Sequence, residues 1–223
     1  LYGQGYLPFS RDEIYYMPAD DVYLSGTAEL ILNSLRADEI LNEAELPILY
    51  AGFSPCFRRE AGAAGKDTRG LVRVHQFMKT EQFIICKNDV KESDKWHKTL
   101  LSISEEVLQD LELPYQVLDI CTGDMGAPKY RQYDLEAWVP SCYRETHSCS
   151  NITEWQARRT NLRYRDNADN RVKYVHTLNN TGIATPRALV PFIECHQNED
   201  GSVNIPAKLQ LYMGGKTKIG KNL

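Results

Sequence analysis

Apolar residues along the chain switch between helical and alternating spacing, and the switches predict an ordered set of elements. Residues 22–24 read as a short strand, and 27–37 as a helix with Leu30, Ile31, Ser34 and Leu35 at helical spacing. Two β-prone runs follow at 53–59 and 71–77, the second continuing through 83–86. Asp89 and Glu92 have the spacing of a capping box, and the stripe Trp96, Leu100, Ile103, Val107 and Leu111 carries a helix up to the stop at Pro114. Strands are expected at 115–120, 134–140 and 172–178. A last helix is expected over 183–197, with Pro186 in its first turn, where a missing N–H costs little, and with Leu189, Val190, Phe192 and Ile193 turned inward. Strands distant in sequence, joined by hairpins with helices between them, predict an antiparallel α+β domain.

The arms at 53–59 and 71–77 enclose a loop of glycine, alanine and charge. Here Arg58, Arg59, Lys66, Arg69 and Arg73 outnumber Glu60 and Asp67. Guanidiniums at this density suit a polyanion such as a nucleoside triphosphate. Arg58 and Glu60 alternate on one arm, and Arg73 and Phe77 are in phase on the other. Such a face offers cations to phosphates, a ring to adenine and a carboxylate to its amino group. A solvated hairpin with unconnected charges fits the same residues. No G-x-G-x-x-G or P-loop sequence occurs, which argues against Rossmann and Walker nucleotide binding.

Composition narrows the class further. A chain of 223 residues, 42% of them hydrophobic, can bury a sizeable core, and it shows no internal repeat or low-complexity linker. Its net charge of −4 argues against general attraction to nucleic acid, so such binding needs local patches. Apolar runs are too short for a membrane helix. The start has neither a signal-peptide pattern nor an initiator Met, so the chain reads as a fragment or trimmed form. Cysteines at 56, 86, 121, 142, 149 and 195 make no C-x-x-C pair. Cys142, His147 and Cys149 have zinc-ligand chemistry but lack a second pair at ligand spacing. Scattered reduced, mostly buried thiols suit the cytosol.

The segment CFRREAGAAGKDTRGLVRVHQF resembles motif 2 of the class II aminoacyl-tRNA synthetases, in the form of the seryl-tRNA synthetase family. Thr27-Ala28-Glu29 is similar to that family's serine-site motif. The run from Tyr143 to Ser150, followed by Trp155-Gln156-Ala157-Arg158-Arg159, is similar to its metal and substrate segment. Asn179, Thr181, Ala184, Pro186 and Arg187 resemble motif 3, and the tail IPAKLQLYMGG also agrees. The likeness spans the whole chain in order, so residues 1–223 are expected to be one synthetase core. Asn180 and Gly182 depart from the commonest bacterial motif 3, and no zinc-binding set of the zinc-dependent subtype is recognisable. The family's N-terminal coiled-coil arm and its motif 1 are not recognisable ahead of Leu1.

The resemblance implies a function and a role for each matching residue. Serine is activated by ATP to seryl-adenylate and then transferred to tRNA(Ser). Arg58, Arg73 and Arg187 are the implied catalytic cations. Arg58 takes the α-phosphate and the serine carboxylate region, and Arg73 and Arg187 take the β- and γ-phosphates. Glu60 meets the adenine amino group, and Phe77 stacks on the base with Arg187 over its other face. Glu145 and Ser148 ligate Mg²⁺, while Thr27, Glu29, Glu81, Asn179 and Thr181 join Arg58 around serine. The implied partners are L-serine, ATP, tRNA(Ser) and, in the full-length protein, a second copy; the implied compartment is the cytoplasm, with no membrane. Residues 61–69 are expected to form a lid over ATP. Two other readings share these residues: a paralogue that loads an amino acid onto a carrier protein or other acceptor, and a non-catalytic fragment.

Several of these residues also have purely structural readings. Thr27 is placed to cap the following helix, Glu145 to make a surface ion pair, and Glu81 to lie at an exposed sheet edge. His75 reads as a hydrogen-bonding residue. Arg158, Arg159, Arg163 and Arg165 suit either tRNA or local ion pairs.

Overall fold

The computed structural model describes residues 1, 3, 5, 7, 11–61, 70–140 and 142–220. Chain order begins with the short strands β1 (Tyr16–Met17) and β2 (Val22–Tyr23), helix α1 (Glu29–Ser34) and strand β3 (Ile40–Asn42). The long hairpin β4 (Ile48–Phe57) and β5 (Gln76–Cys86) follows, then helix α2 (Val90–Asp110) and strands β6 (Tyr115–Asp119), β7 (Arg131–Val139) and β8 (Cys142–Thr153). Helix α3 (Trp155–Thr160), strands β9 (Arg163–Arg165), β10 (Val172–Tyr174) and β11 (His176–Ala184), and helix α4 (Thr185–His196) come next. Strand β12 (Val203–Asn204), helix α5 (Ala207–Gln210) and strand β13 (Lys218–Ile219) close the described chain.

Six strands form the main sheet in the order β4-β5-β11-β8-β7-β6, every pair antiparallel. The expected antiparallel α+β arrangement is the observed one. A smaller three-stranded sheet, β10-β9-β3, lies beside it and includes one parallel pair.

The central strand β11 is buried almost throughout. Its side chains alternate between two different environments. His176, Leu178 and Asn180 face α2: Leu178 packs with Leu100, and Asn180 Nδ2 reaches Leu100 O at 2.9 Å and Ser104 Oγ at 2.7 Å. Thr177, Asn179 and Thr181 face the opposite side, toward α1 and α3. On that side Ala28, Leu32, Phe83, Ile85, Ala157 and Leu162 form a core. Gly52 lets α1 approach the sheet: a Cβ there would stand 3.3 Å from Ala28 Cβ and Leu32 Cδ1.

The apolar stripe expected on α2 is only part of its buried face. Its most buried residues are Ser93, His97, Leu100, Ser104 and Leu108, three of them polar. The sheet beneath explains this. Asn151 Nδ2 donates to Ser93 Oγ at 3.2 Å, His97 Nε2 meets Cys149 O at 3.0 Å, and Ser104 Oγ donates to Thr181 O at 3.2 Å. Buried polar groups on the strands need partners, and the helix supplies them.

Other boundaries moved. The first hairpin arm starts at Ile48 and ends at Phe57, and the second starts at Gln76; one more cross-arm bond, from Arg58 N to His75 O at 3.0 Å, follows before Glu60 turns the chain. The last strand runs through Ala184, so the final helix begins at Thr185, with Pro186 in its first turn as expected. Leu189 and Ile193 are exposed, while Ala188 and Pro191 are buried. In α1, Ile31 and Leu35 are exposed at 51% and 55%, and Leu30, Leu32 and Asn33 are buried instead. Strand β8 was not expected at all. Its sequence is polar, yet it pairs on both sides, with β7 and β11. Cys56, Cys86 and Cys149 are buried, whereas Cys121 is exposed. The expected lid lies, from residue 62 to 69, outside the described residues.

Replacing Asn180 by Leu is expected to cost about 1–3 kcal/mol, because it strips the buried partners on α2 of their hydrogen bond. Urea unfolding should show a lower midpoint with an unchanged slope.

Candidate active site

One face of the main sheet opens into a cavity of about 500 Å³. It is lined by Thr27, Glu29, Arg58, Glu60, Phe77, Glu81, Glu145, Ser148, Asn179, Thr181 and Arg187. These are the residues nominated from sequence, with the exception of Arg73. Arg73 is held beside the cavity through its Nη1, which meets Glu60 Oε2 at 2.9 Å.

Backbone contacts assemble the hairpin end. Phe57 N donates to Ser25 O at 2.9 Å and Arg58 Nε to Gly26 O at 3.3 Å, which brings the start of α1 beside Arg58. His75 Nδ1 lies 3.3 Å from Arg58 O, the structural role expected of it. The Arg58 guanidinium lies over the Phe77 ring, 5.4 Å from its centre. Glu60 is not on a strand; it turns the chain with φ of +51°.

β-Bulges set the phase of the far wall. In a regular strand Glu145 and Ser148 would point to opposite faces. The register of β8 against β7 slips at Thr146, so both side chains line the cavity. A second slip, at Gly182 in β11, turns Ile183 toward the core and Ala184 toward the cavity. A Cβ at Gly182 would stand 3.2 Å from Thr80 O. His147 Nε2 donates to Gly182 O at 3.0 Å and ties the two bulges together. Burial lowers the His147 pKa to about 4, so its ring is neutral.

Helix α4 carries Arg187, whose Nη1 meets Glu145 Oε2 at 3.1 Å. Its first turn has no side-chain cap and opens on the cavity through Ala184 and Pro186, which presents the positive end of the helix there.

The other end of the cavity is a small polar pocket. Lys79 Nζ donates to Thr27 Oγ1 at 2.7 Å and lies 2.5 Å from Glu81 Oε2. Both charged side chains are nearly buried, which overturns the edge-exposed reading of Glu81. Glu29 Oε1 accepts from Asn179 Nδ2 at 2.5 Å and from Gln156 Nε2 at 2.6 Å. Thr27 Oγ1 is also 3.4 Å from Glu29 N, a weak local contact beside its bond to Lys79.

Comparison with known proteins identifies this architecture. The chain matches the family model of the tRNA synthetase class II core domain (G, H, P, S and T) over residues 15–196. The chain belongs to the class II tRNA synthetase core family. It is 54% identical over 223 residues to the serine–tRNA ligase of Deinococcus radiodurans, covering 99% of this chain and 52% of that protein. To the serine–tRNA ligase of Pyrococcus furiosus it is 53% identical over 208 residues, 92% of this chain and 45% of that one. The structure of seryl-tRNA synthetase from Pyrococcus horikoshii complexed with ATP superposes with a TM-score of 0.90 at 50% identity, over 96% of this chain and 47% of the other. The chain thus spans about half the length of the curated relatives it matches.

Within this synthetase core, several cavity residues escaped the sequence reading. Lys79 had a signal, since it stands two positions before Glu81 and therefore on the same face. Lys129 and Gln132 had none. Lys129 Nζ donates to Gln132 Oε1 at 2.8 Å, and Gln132 Nε2 donates to Asp134 Oδ1 at 2.6 Å and to Ser148 Oγ at 3.0 Å. Gln156, fully buried, reaches Glu29 from 127 positions away. The basic run after it makes local contacts: Arg158 pairs with Glu154 at 2.6 Å, and Arg159 lies over Trp155. Among the described residues no group of three or more His, Cys, Asp or Glu side chains is arranged to hold a metal, and no helix is long and apolar enough to cross a membrane.

Burial, and after it the charge of Glu81, raises the Glu29 pKa from 4.5 to about 7. The folded chain therefore keeps a proton that the unfolded chain releases. Between about pH 4.5 and 7 this term favours folding less as pH rises, by on the order of 3 kcal/mol in all. Glu29→Gln stays neutral throughout. Its melting temperature should match the parent near pH 5 and exceed it at pH 8, as read by calorimetry.

Proposed function

We propose that this chain is the catalytic core of a ligase that activates L-serine with ATP and transfers it to tRNA(Ser). The observation that carries the reading is the meeting, in one cavity, of a guanidinium-lined end and a small pocket walled by Thr27, Glu29, Glu81, Asn179 and Thr181. The serine–tRNA ligase names of relatives at 54% and 53% identity support it, as do similar structures solved with ATP and with AMP.

In this reading the pocket recognises serine by its polar groups. Glu29 and Glu81 attract the ammonium, and Thr27, Asn179 and Thr181 complete the hydrogen-bonding wall. Alanine leaves such a wall unpaired and is rejected strongly, whereas threonine is rejected by bulk. Arg58, near the junction of the two ends, serves the serine carboxylate and the α-phosphate. Arg73 and Arg187 serve the β- and γ-phosphates, Phe77 stacks on adenine with Arg187 over its other face, and Glu60 accepts from the adenine amino group.

The serine carboxylate attacks the α-phosphorus, and pyrophosphate leaves. Two anions must approach, so positive charge set in place beforehand does most of the work, and no protein nucleophile is needed. Two of these cations are each paired with an acid: Arg187 with Glu145 and Arg73 with Glu60. Phosphates entering the site exchange for those partners. The oxygen donors Glu145 and Ser148, brought to one face by the bulge in β8, suit a hard cation such as Mg²⁺ that takes its remaining ligands from phosphate and water. When bound, Mg²⁺ neutralises triphosphate charge. A terminal tRNA ribose hydroxyl then attacks the seryl carbonyl carbon of the adenylate, the ester bond forms, the hydroxyl proton is lost and AMP leaves. Homodimerisation of the full-length protein and a cytoplasmic location belong to the same reading.

Serine-dependent exchange of pyrophosphate into ATP tests it, with alanine, threonine and glycine as controls. Exchange is expected with serine alone, and its absence would sink the proposal. Arg58→Ala should lose at least about 100-fold in exchange rate with an unchanged circular dichroism spectrum. A variant as active as the parent would remove Arg58 from the mechanism.

A further inference from the structure

We propose that the cavity takes up its amino acid as the ammonium in exchange for a proton held on Glu29, so that substrate binding and Glu29 ionisation are one event. The inference rests on the serine reading above. It follows from counting charges around the pocket. Glu81 already has a cation, Lys79 Nζ, at 2.5 Å. That ammonium is further committed to Thr27. Glu29 has no such partner: among the described residues no cation lies within ion-pair distance of it, and its Oε1 receives only the neutral amides of Asn179 and Gln156. Thr177 Oγ1 donates to Gln156 Oε1 at 2.7 Å, which fixes the donor end of that amide toward Glu29.

The surroundings of Glu29 can be named element by element. Strand β5 presents Lys79 and Glu81, the segment before β7 presents Lys129, and Arg58 lines the same cavity beyond the end of β4. Helix α3 and strand β11 offer the neutral Gln156 and Asn179. A carboxylate buried beside another carboxylate, without a cation of its own, holds its proton. The two amide donors favour ionisation and limit the effect, and the balance leaves Glu29 titrating at about 7. An arriving ammonium supplies the missing cation. Glu29 ionises against it, and the displaced proton goes to solvent.

The stoichiometry is a measurable signature. About half a proton should leave per serine bound at pH 7, close to one at pH 6 and about a tenth at pH 8. Below pH 7 the dissociation constant should rise up to about tenfold per pH unit. Isothermal titration of the protein with L-serine, in phosphate, HEPES and Tris buffers at each pH, reads the proton number from the dependence of the observed heat on buffer ionisation. Glu29→Gln should abolish that dependence. Gln156→Met removes one donor from the carboxylate, so its release window should move to higher pH, a shift that a merely structural role for Gln156 does not produce. Serine binding with the same heat in all three buffers from pH 6 to 8 would overturn the coupling and leave the serine assignment standing. No binding at any pH would overturn both.

Discussion

Strand β11 must be satisfied on both of its faces, and much of the molecule follows from that. It lies inside the sheet between β5 and β8, and nearly every residue of it is buried. One face gives Asn180 and His176 to the polar stripe of α2, where Ser93 and Ser104 answer them. The other gives Thr177 and Asn179 to Gln156 and Glu29. Buried polar groups left unpaired are costly, so α2 and α3 have little freedom in where they dock. The polar pocket on one side of the sheet and the helix on the other are held by alternate residues of one strand.

The cavity is electrostatically divided, and the division has a structural origin. Its hairpin end is lined by Arg187, which rests on Glu145, and by Arg58, which lies over the Phe77 ring, and the start of α4 adds positive potential. Its closed end holds two carboxylates and one ammonium. The two ends of the cavity thus differ in charge before any ligand is considered. Two ion pairs, Arg187 with Glu145 and Arg73 with Glu60, lie at the hairpin end.

How much was legible in advance depended on the kind of signal each residue carried. Helix α2 was readable from its cap at Asp89 and from its spacing, and Pro186 marked the start of α4. Strand β8 was not, because a strand that pairs on both sides and lines a polar cavity need not alternate apolar and polar residues. The same cause hid Ser93, His97 and Ser104 on the buried side of α2. Arg58 was already marked by the charge density of the hairpin, whereas Glu81 and Glu145 were found through motif resemblance, since isolated charges carry no marker of burial. Lys79 was within reach of a period-two argument, whereas Gln156 and Gln132 act through partners that only folding brings near.

The sequence by itself determined the fold class, the family and many of the side chains around the cavity, because motif order and hydrophobic spacing are local properties that survive without coordinates. Only the tertiary structure decided which of those side chains share a wall and in what charge state. The bulges at Thr146 and Gly182 reset the two-residue period by which strand faces are read, and no local pattern announces them. The pairing of Glu81 with Lys79 and, among the described residues, the lack of a cation within ion-pair distance of Glu29 are likewise matters of distance and burial, so the raised pKa of Glu29 arises only in the folded chain.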